Sequence, residues 1–122
     1  MEIEIKRIYE EADPGDGRRI LVDRLWPRGI SKEKAGIDLW CKEIAPSKEL
    51  RTRYHKGDMD HLEFAREYTR ELDQNPAAPG FLDYLQGCGK ATFLFSSKNL
   101  EENNAVVLRE WCLLMAGDRG EA

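Results

Sequence analysis

The chain has 122 residues, with 19 Lys+Arg against 23 Asp+Glu, a formal net charge of −4, and 41% hydrophobic residues. That length suits one globular domain able to bury roughly two-thirds of its unfolded surface, which argues against intrinsic disorder and against two domains. No apolar run approaches the ~20 residues of a membrane helix, and the net acidity opposes binding along a phosphate backbone.

Ile3 and Ile5, followed by Ile8-Tyr9, alternate as a first strand, and Asp13-Pro14-Gly15-Asp16-Gly17 is turn chemistry. Arg19 to Trp26 contains Ile20-Leu21-Val22 and Leu25, a continuous apolar run that predicts a strand covered on both faces. Pro27 ends it, and Ser31 caps a short helix to about Ala35. Ile37 to Cys41 reads as a short third strand. Ser47 caps a helix stopped by Gly57. Asp60 with Glu63 opens an amphipathic helix in which Phe64, Tyr68 and Leu72 stack at i, i+4 and i+8, joined by Leu62 and Ala65. Phe81, Leu82 and Leu85 suggest another short helix. Ala91 to Ser96 is the clearest remaining strand. Asn99 with Glu102 forms a capping box for a last helix to about Met115, with Leu108, Trp111 and Met115 on its buried stripe. Strands separated by helices predict an α/β fold: a small, mostly parallel sheet flanked by helices, three layers in one domain over residues 1–116, with 117–122 a frayed tail.

The charge is uneven. Residues 2–16 carry six acids and two bases, a net of −4. From Arg18 to Lys34, six bases face Asp23 and Glu33, a net of +4. A basic segment thus lies inside an acidic protein.

Two strand-to-helix junctions, Asp23 to Ser31 and Ser96 to Asn104, carry the candidate chemistry. In open α/β sheets ligands bind beyond the carboxyl ends of strands, where helix N-termini present free N–H groups. The first junction supplies Arg24 and Arg28, suited to bidentate recognition of carboxylate or phosphate, with Lys32 in the first helical turn. The second supplies Ser96, Ser97 and Lys98, with Asn103 and Asn104. If the two strands are neighbours, the junctions face a common crevice whose natural guest is an anion. Bland roles compete throughout: Arg24 paired with Asp38, Trp26 and Trp40 as packing aromatics, the serines as local donors.

His55 and His61 around Asp58 and Asp60 superficially resemble a metal cluster, but their places near helix ends explain them, and no metal is expected. Cys41, Cys88 and Cys112 are an odd number without a CxxC pair, which points to a reducing cytoplasm; the alternating MEIEIKR is unlike a signal peptide. There is no GxGxxG, Walker lysine loop, HExxH or GxSxG, so the signal for any named reaction is weak and the cofactor is not legible.

The segment RILVDRLWPRGISKEKAGIDLWCKEIAPSKELR, with NNAVVLREW late in the chain, resembles the YeaO-like family of small bacterial proteins of unknown function, from about Ile5 to Leu113. The resemblance implies a single α/β domain with Asp23, Arg24, Trp26, Pro27, Arg28 and Gly29 as the hallmark loop. It also carries over Lys32, Asp38, Trp40, Pro46, Ser47, Asn103 and Asn104, and brings no activity, cofactor or substrate. The chain departs from the family at Arg53-Tyr54, where an aromatic pair usually precedes the histidine His55, and at Asn99, where the family usually has Asp.

The expected function is an enzyme-like domain binding a small phosphorylated or carboxylated molecule. Arg24, Arg28 and Lys98 hold the anion, Asp23 or Asp38 acts as general acid/base, and Trp26, Lys32, Trp40, Ser96, Ser97, Asn103 and Asn104 complete the site. The alternative is a non-catalytic module presenting a Trp/Arg surface to a protein partner or, less favoured, to nucleic acid. Oligomeric state is not legible.

Overall fold

Residues Ala91 to Phe95 are apolar save for Thr92, and a strand of that pattern must be covered on both faces. It lies at the centre of the structure, a computed structural model that describes residues 1–118. The strands are β1 (Glu2–Arg7), β2 (Arg18–Leu21), β3 (Leu39–Trp40) and β4 (Lys90–Phe95), all parallel and ordered β1-β4-β2-β3. Five α-helices join them among the described residues: α1 (Lys32–Ala35), α2 (Lys48–His55), α3 (His61–Gln74), α4 (Ala78–Gln86) and α5 (Asn104–Asp118). This is the expected small α/β domain.

Alternation along β4 divides the core. Ala91, Phe93 and Phe95 meet Ile20 and Val22 under α2 to α5, with Phe64, Tyr68, Leu72, Leu108 and Trp111. On the opposite face Leu94 joins Ile8, Leu21 and Ala35, covered by α1, by loops carrying Trp26, Ile30 and Ile37, and by Trp40 of β3. Beside this smaller cluster lies a buried charge centre: Arg19 donates to Asp16 at 2.6 Å and to the Ala35 and Gly36 carbonyls, while Lys6 approaches Asp16 at 3.2 Å. Every arm is paired, as buried charge requires.

Local chemistry fixes the element ends. Ser31, Ser47 and Asp60 accept from the backbone amides of Lys34, Leu50 and Glu63, as N-caps do. Gly17, at φ 66°, sits so close to β4 that a Cβ there would collide with the Lys90 carbonyl.

Several expectations change. The second strand stops at Leu21, although the Val22 amide still bonds the Leu94 carbonyl, so Trp26 lies in a loop. Leu62 is exposed, outside the stripe of α3. Asn99 does not cap the last helix: its side chain accepts from the Glu101 and Glu102 amides in a separate turn, and Asn103, four residues on, accepts from the Val106 amide at 3.0 Å. The last helix spans Asn104–Asp118, and residues 119–122 of the expected tail lie outside the described residues.

Candidate functional site

β2 and β4 are hydrogen-bonded neighbours, so the two junctions that follow them meet at one edge of the sheet. Between them, beyond the carboxyl ends of β1, β4 and β2, lies a cavity of about 560 Å³, within the usual range for small-molecule sites. Asp23, Arg24, Trp26, Arg28, Ser96, Ser97, Lys98, Asn103 and Asn104 all line it.

Asp23 ties the junctions together. Its Oδ2 accepts from the Ser96 amide at 2.9 Å and from the Ser96 hydroxyl at 2.8 Å. Its Oδ1 accepts from Asn104 Nδ2 at 3.1 Å, and that amide also donates to the Val22 carbonyl. One carboxylate therefore joins the ends of β2 and β4 to the start of α5, a geometry suited to holding loops rather than to moving a proton. Ser97 Oγ accepts from the Asn99 amide.

The cations are arranged differently. Arg24 donates through Nε to the Pro46 carbonyl at 3.0 Å, its one hydrogen bond to protein among the described residues. Arg28 and Lys98 are exposed, and Arg51, from α2, is half-buried in the same wall. Ion pairs among the described residues join Lys6 and Arg19 to Asp16, Arg70 to Glu67, and Lys90 to Glu2 and Glu4; none includes a cation of the cavity. Arg7 at the end of β1 is a strut: it donates to the Ser96 and Ser97 carbonyls, both at 2.8 Å, and lies over the Tyr9 ring. Five cations and two carboxylates, Asp23 and Glu102, thus line a cavity in a protein of net charge −4. The N-terminus of α5 opens beside them, with the positive end of its dipole toward the cavity.

The remaining wall is apolar and aromatic. Tyr54 stacks on Phe64 with centroids 4.0 Å apart, and its hydroxyl lies 2.9 Å from His61 Nδ1. Burial and the nearby Glu102 and Asp60 raise the Tyr54 hydroxyl above its ordinary pKa, so it stays neutral. Trp26 donates to the Ile30 carbonyl and meets Trp40 edge-on at 5.4 Å.

Three expected site residues lie elsewhere. Asp38 precedes β3 and accepts from the Arg19 amide at 2.9 Å, at the amino end of the strands, whereas the cavity is at the carboxyl end. It does not pair with Arg24. Lys32 begins α1, over the opposite sheet face, and is exposed. Trp40 lies behind the wall and donates to the Asp23 carbonyl at 2.8 Å, so it supports the loop without lining the cavity.

Sequence reasoning did not find Arg7, Tyr9, Arg51, Tyr54, His55 or Glu102 as lining residues. Arg7 was findable, because it ends a strand that borders the same edge. Arg51, Tyr54 and His55 share one face of α2 at i, i+3 and i+4. The cysteines lie outside: burial, then the Glu43 charge, raises the Cys41 thiol, and burial pushes Cys112 up to about 12. Neither is a ready thiolate. The described residues contain no group of three or more potential metal ligands and no helix long and apolar enough to cross a membrane.

The family model described as the inactive DUF488-N3 subclade matches residues 2–120. The chain is similar to "Uncharacterized protein YeaO" of Escherichia coli (strain K12), 44% identical over 111 residues, covering 91% of this chain and 96% of that protein. "Uncharacterized protein Rv3073c" of Mycobacterium tuberculosis (strain ATCC 25618 / H37Rv) is 41% identical over 108 residues, covering 88% of this chain and 91% of that protein. "Uncharacterized protein Mb3100c" of Mycobacterium bovis gives the same figures. No solved structure matches the chain.

Proposed function

The chain belongs to the family described as the inactive DUF488-N3 subclade, and on that footing we propose that it binds a small phosphorylated or carboxylated molecule without turning it over. The observation that carries the reading is the set Arg24, Arg28, Arg51 and Lys98, which share a cavity and none of which has a carboxylate partner among the described residues. Five cations against two carboxylates leave the cavity with an excess of positive charge that is unfavourable for folding, and an anionic guest offsets it. Guanidinium groups also offer the bidentate geometry that phosphate and carboxylate accept.

Binding is favoured over catalysis on two grounds. The family description contains the word "inactive". Asp23, the acidic group nearest the cations in sequence, is occupied by three donors, and Asp38 is outside the cavity. A small ligand is favoured over a macromolecular partner because the site is concave and both tryptophans are held by hydrogen bonds to loop carbonyls. The net charge weighs against nucleic acid. Cytoplasmic residence belongs to the same reading, supported by three free cysteines.

A thermal-shift screen of phosphorylated and carboxylated metabolites, run on the wild type and on Arg28→Ala, tests the proposal. A ligand at 100-fold its Kd stabilises the wild type by about 2.7 kcal/mol, and the variant responds less. No stabilisation by any anion, or equal stabilisation of both proteins, contradicts it.

A further inference from the structure

The loop from Asp23 to Arg28 is fixed at two ends of the cavity. Arg24 is held at the Pro46 carbonyl, on the wall where α2 begins and where Arg51 stands one turn further along. Four residues later the Arg28 carbonyl accepts from the Tyr9 hydroxyl at 2.8 Å, beyond the end of β1. Arg7 lies over that same Tyr9 ring and holds the Ser96 and Ser97 carbonyls, next to Lys98.

The unpaired cations therefore fall into two sets. Arg24 and Arg51 belong to the end of β2 and the start of α2; Arg28 and Lys98 belong to the ends of β1 and β4. β1 and β2 flank β4, so the two sets stand beyond different strand exits. Leu25, Trp26 and Tyr54 supply apolar surface to the same cavity. A single anion at either set leaves the other without counter-charge.

Resting on the anion-binding reading above, we infer that the ligand carries two separated anionic groups on an apolar or aromatic body. Arg24 and Arg51 hold one group, and Arg28 and Lys98 hold the other. The cavity is thereby selective for dianions of a given span, and a compact anion such as inorganic phosphate fills half of it.

Titration calorimetry on the full chain with α,ω-diphosphonates of butane, hexane, octane and decane, each against the monophosphonate of equal chain length, tests this. The expected result is an optimal length at which the diphosphonate binds at least about tenfold tighter than its monophosphonate, because the second group binds at high effective concentration. Arg28→Gln combined with Lys98→Gln removes that gain, so that the variant binds each diphosphonate no tighter than the monophosphonate of equal length. If diphosphonates bind no tighter than monophosphonates at any length, or if the double variant keeps the gain, the two-centre inference is wrong while anion binding stands. If no phosphonate binds, both fall.

Discussion

Asp23 receives both the backbone N–H and the side-chain hydroxyl of Ser96 on a single oxygen, at 2.9 and 2.8 Å, across 73 residues of sequence. Its other oxygen takes Asn104. The contact converts two strand ends and a helix start into one rigid edge of the cavity.

Loss of this clasp therefore shows as instability. Asp23→Ala leaves the Ser96 amide and hydroxyl without their acceptor and Asn104 with the Val22 carbonyl alone, at a cost of about 2–4 kcal/mol. Asp23→Asn is no rescue, because an amide nitrogen faces donors on one side whichever way it turns. Denaturant unfolding measures both; wild-type stability in either variant contradicts the structural role.

Gly17 and Gly29 both have positive φ, 66° and 76°, but differ in surroundings. A Cβ at 17 strikes the Lys90 carbonyl, whereas at 29 nothing lies within 4 Å. Gly29→Ala should cost about 1 kcal/mol, from backbone strain alone, and Gly17→Ala about 3 kcal/mol or more. Thermal melts of the pair give the comparison, and equal losses would show that β4 does not press on this turn.

Acid should reveal the buried charge centre. Burial by itself raises the Asp16 carboxyl, but bonds from the Asp13 amide, Arg19 and Lys6 outweigh it and hold the group below its ordinary value. A carboxyl with a lowered folded-state pKa adds stability that is complete above its unfolded value, about 4, and disappears as pH falls through the folded value. Wild type should therefore lose stability below about pH 4 more steeply than Asp16→Asn. Parallel curves from chemical denaturation across that range would remove Asp16 as a source of acid sensitivity.

The cavity cations behave in the opposite way to Asp23. Arg28→Gln and Lys98→Gln break no ion pair among the described residues, so stability should change by no more than about 0.5 kcal/mol, while binding of anions falls. A large loss of stability with unchanged binding would assign these side chains to the fold instead.

Much of the scaffold was legible because its signals are local. The i, i+4, i+8 stripe Phe64, Tyr68, Leu72 is fully buried, and Ser31, Ser47 and Asp60 cap the expected helices. The start of α5 was not, because Asn99 and Asn103 are equally good caps by residue type, and tertiary packing decides between them. The rule that ligands sit beyond strand carboxyl ends located both junctions. Asp38, offered apart from that rule as an acid/base group or a partner of Arg24, lies at the amino end of a strand only two residues long, whose direction is hard to tell in sequence. Arg7 escaped notice because its partners, Ser96 and Ser97, are 89 and 90 residues away. Arg51 lines the cavity through the placement of α2, which no local pattern encodes.

The central claim is that the cavity beyond β1, β4 and β2 binds an anion. At 14.1 kDa the chain suits solution NMR, and a titration with inorganic phosphate can follow the Nε–H groups of Arg24 and Arg51 together with the backbone amides of Ser97, Asn104 and Ala105. Binding in the cavity predicts saturable shifts of these resonances, with Arg66 and Arg70 on the outer face of α3 unmoved. Shifts that fail to saturate, or that appear equally at Arg66 and Arg70, would contradict it.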